Sequence, residues 1–88
     1  MAEVRWSSQA RQDLETITDY YRAVSATYAE RLEEKIFDVT RRLATFPFSG
    51  RMIPEAEDEQ LREVIHRDYR IMYHVDADGS EVLILTVL

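Results

Sequence analysis

The sequence predicts an α+β domain with the element order βααβββ, in which a helical hairpin packs on one face of an antiparallel-type sheet. Two stretches of helical periodicity fill the first half of the chain, and three runs rich in Val, Ile, Leu and Tyr close it. A segment with one glycine and two prolines separates these halves. The 88 residues are too few for two cores without metals or disulfides, so residues 1–88 are expected to form a single domain.

The first helix is predicted to begin near Ser7, after a short strand over residues 2–6. Ser7 or Ser8 supplies a hydroxyl that can cap the first free amides of the helix. The apolar side chains recur at steps of three and four and form one stripe, made of Ala10, Leu14, Ile17, Tyr21 and Val24.

The second helix is predicted after the short link Ser25-Ala26, which makes the two helices antiparallel neighbours. Thr27 and Glu30 have capping-box spacing at its start, and Pro47 ends it. Its apolar stripe consists of Tyr28, Leu32, Ile36, Val39, Leu43 and Phe46.

Three strands are predicted at the end of the chain, over residues 61–66, 69–76 and 81–88. The separators Arg67-Asp68 and Asp78-Gly79 are short enough for hairpins, and an Asp-Gly pair tolerates positive φ at both turn positions. The three strands should therefore be antiparallel.

A two-residue loop at Arg67-Asp68 would place Ile65 opposite Arg70, and the alternation of side chains along strands then assigns each residue to one face. The face expected to contact the helices contains Val64, Tyr69, Ile71, Tyr73, Val75, Val82 and Ile84. The second face contains Ile65, Arg70, Met72, His74, Leu83, Leu85 and Val87. We use the name second face for that side of the sheet below.

The second face is mostly apolar, and only two helices are available to cover both sides of the sheet. An exposed apolar patch of this size is typical of a partner-binding surface. Alternatively, the second helix or the loop of residues 47–60 folds over it. Arg70 could bind an anionic group of a partner or form a salt bridge with Glu63, while Arg51 and Arg62 could pair with acids in the run 55–59 and fix the loop.

Composition excludes several functions. The chain has no cysteine, and its two histidines do not have metal-ligand spacing, so neither a metal nor a cofactor is expected. The net charge of -6 argues against direct DNA binding. No apolar run approaches the roughly 18 residues of a membrane span, and the N-terminus does not have the pattern of an export signal, so a cytoplasmic protein is expected.

The chain resembles the RelE/ParE superfamily of toxins from type II toxin-antitoxin systems, and more closely its ParE branch. The resemblance spans essentially the whole chain. It rests on the order and spacing of Trp6-Ser7, Asp13-Leu14, Phe46-Pro47, Gly50-Arg51, Leu61-Arg62-Glu63, Tyr69-Arg70-Ile71-Met72-Tyr73 and the closing strand 82–88.

The resemblance implies a prokaryotic toxin that a cognate antitoxin, encoded beside it, holds inactive in a hetero-oligomer. The C-terminal segment of such an antitoxin wraps the toxin, which would supply the missing cover of the second face. The residues expected to bind the antitoxin or the target are Arg51, Arg62, Arg70, Met72, His74, Leu83, Leu85 and Val87.

The resemblance leaves three functions open. ParE-type toxins inhibit DNA gyrase by protein binding without chemistry of their own, which causes growth arrest and stabilises plasmids or genomes, and this is the expected function. RelE-type toxins are ribosome-dependent mRNA endoribonucleases, in which Arg70 would be a catalytic cation, but the lysines of those enzymes fall near Leu61 and Glu63 here. The third alternative is a non-toxic relative, because ParE-type sequences usually continue into a basic, His-containing tail after the last strand.

Overall fold

A computed structural model, which describes residues 1–88, shows two helices packed on one face of a five-stranded sheet. The strands are β1 (Glu3–Trp6), β2 (Arg51–Met52), β3 (Leu61–His66), β4 (Tyr69–Val75) and β5 (Glu81–Val87). The helices are α1 (Ser8–Arg22) and α2 (Ala26–Thr45). The predicted fold class is confirmed.

The sheet has the strand order β1-β5-β4-β3-β2 and is mixed. Strand β1 pairs with β5 in parallel, and all other neighbours are antiparallel. Two features go beyond the prediction, namely the parallel edge strand β1 and the short strand β2, which lies in the segment expected to be a loop. Strand β2 extends the sheet at its other edge and brings Arg51 next to β3.

The helix caps follow from serine side chains. The Ser7 hydroxyl accepts a hydrogen bond from the amide of Ala10 at 3.0 Å, as predicted for α1. In α2 the cap is Ser25, whose hydroxyl accepts from the amide of Tyr28 at 3.2 Å. The predicted Thr27-Glu30 capping box is therefore wrong, because Ser25 already satisfies the first turn and Thr27 lies inside the helix.

Three residues predicted on the apolar stripes are exposed. Val24 is 82% exposed because α1 ends at Arg22, and Phe46 is 62% exposed because α2 ends at Thr45, one residue before it. Tyr28, in the first turn of α2, is 39% exposed. The remaining stripe positions are buried or half-buried. The core cluster consists of Ala10, Leu14, Leu32, Ile36, Leu43, Ile71, Tyr73, Val75, Val82, Ile84 and Val87.

The register of the β3-β4 hairpin is the predicted one, with Ile65 opposite Arg70 and a two-residue turn at 67–68. The β4-β5 register shifts between Met72 and Tyr73, so that Tyr73 pairs with Ile84 while Met72 pairs with Thr86. The extra residue on β5 forms a bulge. The assignment of Val87 to the second face is therefore wrong, because the bulge turns it into the core, where it is 3% exposed.

Candidate functional site

An ion-pair cluster of Arg51, Glu63 and Arg70 lies on the second face, near the β2 edge of the sheet. Strand pairing places Arg51 directly opposite Glu63. Nε of Arg51 donates to Oε2 of Glu63 at 2.6 Å, and Nε of Arg70 donates to Oε1 at 3.0 Å. Nη2 of Arg70 donates to the same Oε1 and lies 3.7 Å from a carboxylate oxygen of Glu55. Arg70 therefore forms the salt bridge with Glu63 that the sequence offered as an alternative to binding an anionic group of a partner.

The carboxylate of Glu63 is enclosed by its two partners. Its side chain is 0% exposed, whereas those of Arg51 and Arg70 are 65% and 37% exposed. Hydrogen bonds from Arg70 and then from Arg51 lower the pKa of Glu63, although burial opposes that shift. The same hydrogen bond to Glu63 raises the pKa of Arg70. Glu63 is therefore ionised at neutral pH. Because Glu55 supplies a second carboxylate beside Arg70, two arginines meet two glutamates here.

Arg62 does not belong to this cluster. It pairs with Tyr73 across β3 and β4, which places it on the face that contacts the helices. Its guanidinium donates to the carbonyl oxygens of Phe48, Gly50 and Glu59, at 3.2, 3.1 and 2.8 Å, and lies over the Phe48 ring. Arg62 thus fixes the loop, as predicted, but it does so through backbone carbonyl groups and not through the acids at 55–59. Arg51 does not pair with those acids either, because it binds Glu63.

Partly exposed apolar side chains surround the ion pairs on the second face. Met72, Leu83 and Leu85 are half-buried, and Ile65 is 51% exposed. No helix covers them, because both helices pack on the opposite face. Within the connection between β2 and β3, Ile53 is buried outside the core cluster. Part of this loop is thus anchored, as the alternative interpretation expected, but the apolar row along β4 and β5 stays accessible.

The spacing of polar groups on the second face limits what the site can do chemically. His74 and Arg70 are four residues apart on β4, which separates their Cα atoms by about 13 Å. A general base must come within about 3 Å of the proton that it removes, so both side chains would have to extend along the strand towards one another to act on the same phosphate. The carboxylate nearest to Arg70 is that of Glu63, which both arginines already bind.

Sequence reasoning missed the hydrogen bonds that hold the loop beside this cluster. The buried hydroxyl of Tyr73 donates to the carbonyl oxygen of Pro47 at 2.8 Å and accepts from the amide of Gly50 at 2.9 Å. A Cβ atom at Gly50 would lie 2.6 Å from that hydroxyl oxygen, so only glycine fits this close approach. In the sequence, only the residue pairs Phe46-Pro47 and Gly50-Arg51 mark the place where Tyr73 holds this loop.

The structure contains no group of three or more His, Asp or Glu side chains that could hold a metal ion. Neither helix combines the length and apolar character that crossing a membrane requires.

Solved structures with similar folds are toxins of toxin-antitoxin systems. The chromosomal ParDE system from P. aeruginosa superposes with a TM-score of 0.78 at 22% identity, over 99% of this chain and 94% of that one. The RelBE2 complex from Mycobacterium tuberculosis gives 0.71 at 20% identity, over 98% and 94%. A YoeB/ParE toxin from Agrobacterium tumefaciens gives 0.65 at 20% identity, over 97% and 94%. At these identities the likeness establishes the fold.

Sequence comparison identifies the family. No curated protein matches the chain in sequence. The family model described as the ParE toxin of the type II toxin-antitoxin system parDE matches residues 4–88, which include every strand and helix except the first residue of β1. The chain therefore belongs to the ParE family of type II toxin-antitoxin toxins.

Proposed function

We propose that this protein inhibits DNA gyrase by protein-protein binding and that a cognate antitoxin neutralises it by covering the second face. The observation that supports binding over catalysis is that the guanidinium of Arg70 is hydrogen-bonded to the buried carboxylate of Glu63. In a ribonuclease this guanidinium would have to be available to a phosphate, and a base would have to lie beside it. The two carboxylates beside Arg70, those of Glu63 and Glu55, are both paired with its guanidinium.

The apolar row beside the ion pairs supports an antitoxin contact at the same place. Met72, Leu83 and Leu85 form a half-exposed strip on the same face of the sheet as the guanidinium of Arg51, whose side chain is 65% exposed. An amphipathic helix with carboxylates along one edge of its apolar face would match both features. Covering this strip would also remove apolar surface from water.

The decisive experiment compares two activities of the purified protein. In a supercoiling assay, we expect it to inhibit gyrase, and in a translation extract we expect no ribosome-dependent cleavage of messenger RNA. Expression without the antitoxin should arrest growth, and co-expression of the antitoxin should restore it. Cleavage of messenger RNA that is lost in Arg70→Ala would contradict the proposal and assign the protein to the ribonucleases.

A matched pair of variants tests the antitoxin surface separately. Met72→Glu places a charge within the apolar strip, and we expect it to weaken antitoxin binding at least tenfold, or about 1.4 kcal/mol. Val24→Glu introduces the same charge at a position that is 82% exposed and far from the strip in the fold, and it should leave the affinity unchanged. Equal affinities for both variants, with melting temperatures like that of the unmodified protein, would place the antitoxin elsewhere.

A further inference from the structure

Most basic side chains that form no polar contact lie in one groove. Four arginines take part in salt bridges and Arg62 binds backbone carbonyls, which leaves six of the 11 basic residues without a hydrogen-bonding or charged partner. Of these six, Arg5 and Arg11 lie elsewhere, and the other four line two adjoining cavities of about 700 and 320 Å³. We name this the basic groove, formed by Arg31, Lys35 and Arg42 of α2 and by His66 and Arg67 of the β3-β4 hairpin.

The groove is built by helical spacing. Arg31, Lys35 and Arg42 are separated by four and seven residues, so they lie on one face of α2. The row extends over about 16 Å at the rise of an α-helix. Lys35, His66 and Arg67 line both cavities, which makes the hairpin turn the second wall of one continuous groove.

One further observation at the turn indicates a ligand. Nε2 of His66 is buried from solvent and has no hydrogen-bond partner, which is rare for a buried polar atom. Arg67 has a φ of 54°, as the first residue of a two-residue hairpin turn requires. The turn thus holds the unpartnered imidazole nitrogen beside the free cations.

We propose that the basic groove binds an acidic, amphipathic peptide segment of a partner protein. Its cations alternate with accessible apolar side chains, because Tyr28, which is 39% exposed, lines one cavity and the half-buried Val39 lines the other. A segment with carboxylates at the spacing of the cations and with apolar residues between them would match both. The proposal does not depend on gyrase being the target, and no residue of the groove belongs to the second face.

The charges of the groove favour a peptide over a nucleic acid. Glu34 lines one cavity and Asp38, which is paired with Arg41, lines the other, and the whole protein has a net charge of -6. Four free cations fall short of the roughly 6 to 10 phosphate contacts typical of DNA-binding proteins. A phosphate backbone would also continue past the groove onto acidic surface, whereas a short peptide concentrates its charge where the cations are.

The test is an NMR titration of the ¹⁵N-labelled protein at low salt. The probe is a synthetic helical peptide with glutamates four and seven residues apart and leucines between them, and a deoxythymidine oligonucleotide of similar charge serves as the second probe. We expect saturable shifts of backbone amides in residues 28–45 and 64–68 with the peptide. These shifts should decrease as the salt concentration increases, because screening weakens exposed charge pairs.

Charge reversal provides the matched controls. Lys35→Glu combined with Arg42→Glu should weaken peptide binding at least tenfold, whereas Arg5→Glu combined with Arg11→Glu reverses two free cations outside the groove and should leave the affinity unchanged. Two results would overturn the proposal. One is the absence of peptide shifts in the groove, and the other is tighter binding of the oligonucleotide than of the peptide at this site.

Discussion

Arg70 donates two hydrogen bonds to a single oxygen of the buried Glu63 carboxylate, on the side of the sheet that no helix covers. Arg51 binds the other oxygen. The guanidinium of Arg70, the group that could otherwise bind a phosphate, is therefore paired with Glu63. Because Glu63 also binds Arg51, it links the edge strand β2 to β3.

Replacing this acid tests the importance of the cluster for stability. Glu63→Gln keeps the shape of the side chain but leaves two arginines without their counter-charge. We expect the free energy of unfolding to fall by about 1 to 3 kcal/mol at neutral pH, as for other buried polar groups that lose a partner. Urea denaturation followed by circular dichroism measures it. Glu57→Gln, at an exposed acid outside every salt bridge, should have no comparable effect.

The contribution of Glu63 should also depend on pH. Its hydrogen bonds to the two arginines hold its pKa in the folded protein below the ordinary value of a glutamate, about 4.5. Its stabilisation is therefore fully present above about pH 4.5 and is lost as the pH falls through the folded pKa. The difference in unfolding free energy between the unmodified protein and Glu63→Gln should therefore narrow in acid. A difference that stays constant from pH 7 to pH 3 would contradict this assignment.

The hydroxyl of Tyr73 should stabilise the loop at residues 47–50. Tyr73→Phe leaves the buried amide of Gly50 without its acceptor, and we expect a loss of about 1 to 3 kcal/mol in the free energy of unfolding, together with faster hydrogen exchange at that amide. Tyr20→Phe is the control, because Tyr20 is 70% exposed. Equal exchange rates at Gly50 in both variants would show that another group holds the loop.

The left-handed conformation of Arg67 predicts a stabilising substitution. Arg67→Asn should increase the free energy of unfolding by about 1 kcal/mol, because asparagine adopts positive φ more readily. Arg67→Ala removes the same charge without that advantage and separates the two effects. Thermal unfolding of both variants is the measurement, and a melting temperature no higher for asparagine than for alanine would refute the explanation.

Asp13 connects α1 to the end of β5. Its Oδ2 accepts from the hydroxyl of Thr86 at 2.5 Å and from the amide of Val87 at 3.0 Å. Burial alone would raise the pKa of Asp13, but these hydrogen bonds lower it overall. We expect Asp13→Ala to reduce the free energy of unfolding by about 1 to 3 kcal/mol at pH 7, and by less below about pH 4.

The control for this variant is Asp19→Ala, in which the lost ion pair with Arg22 is exposed. Such pairs contribute under about 1 kcal/mol. If both alanine variants unfolded at the same urea concentration, the contact between Asp13 and β5 would have no special role in stability.

The features that depend on neighbours along the chain could be predicted from the amino-acid sequence alone. Helical periodicity located both helices, and the two-residue turn placed Ile65 opposite Arg70, because turn length fixes the register of a hairpin. Together with the order of its motifs, this was enough to identify the family and to select Arg70 and the apolar residues of the second face as the candidate site.

Which charged side chains form ion pairs depends on contacts between distant segments of the chain. The bulge that turns Val87 inward lies where Asp13, 74 positions earlier, binds the backbone of β5. The pairing of Arg51 with Glu63 required strand β2, which is two residues long and has no periodicity of its own. Contacts between distant segments depend on packing and strand pairing of the whole chain, so no local pattern could show that Glu63 would be buried between two arginines.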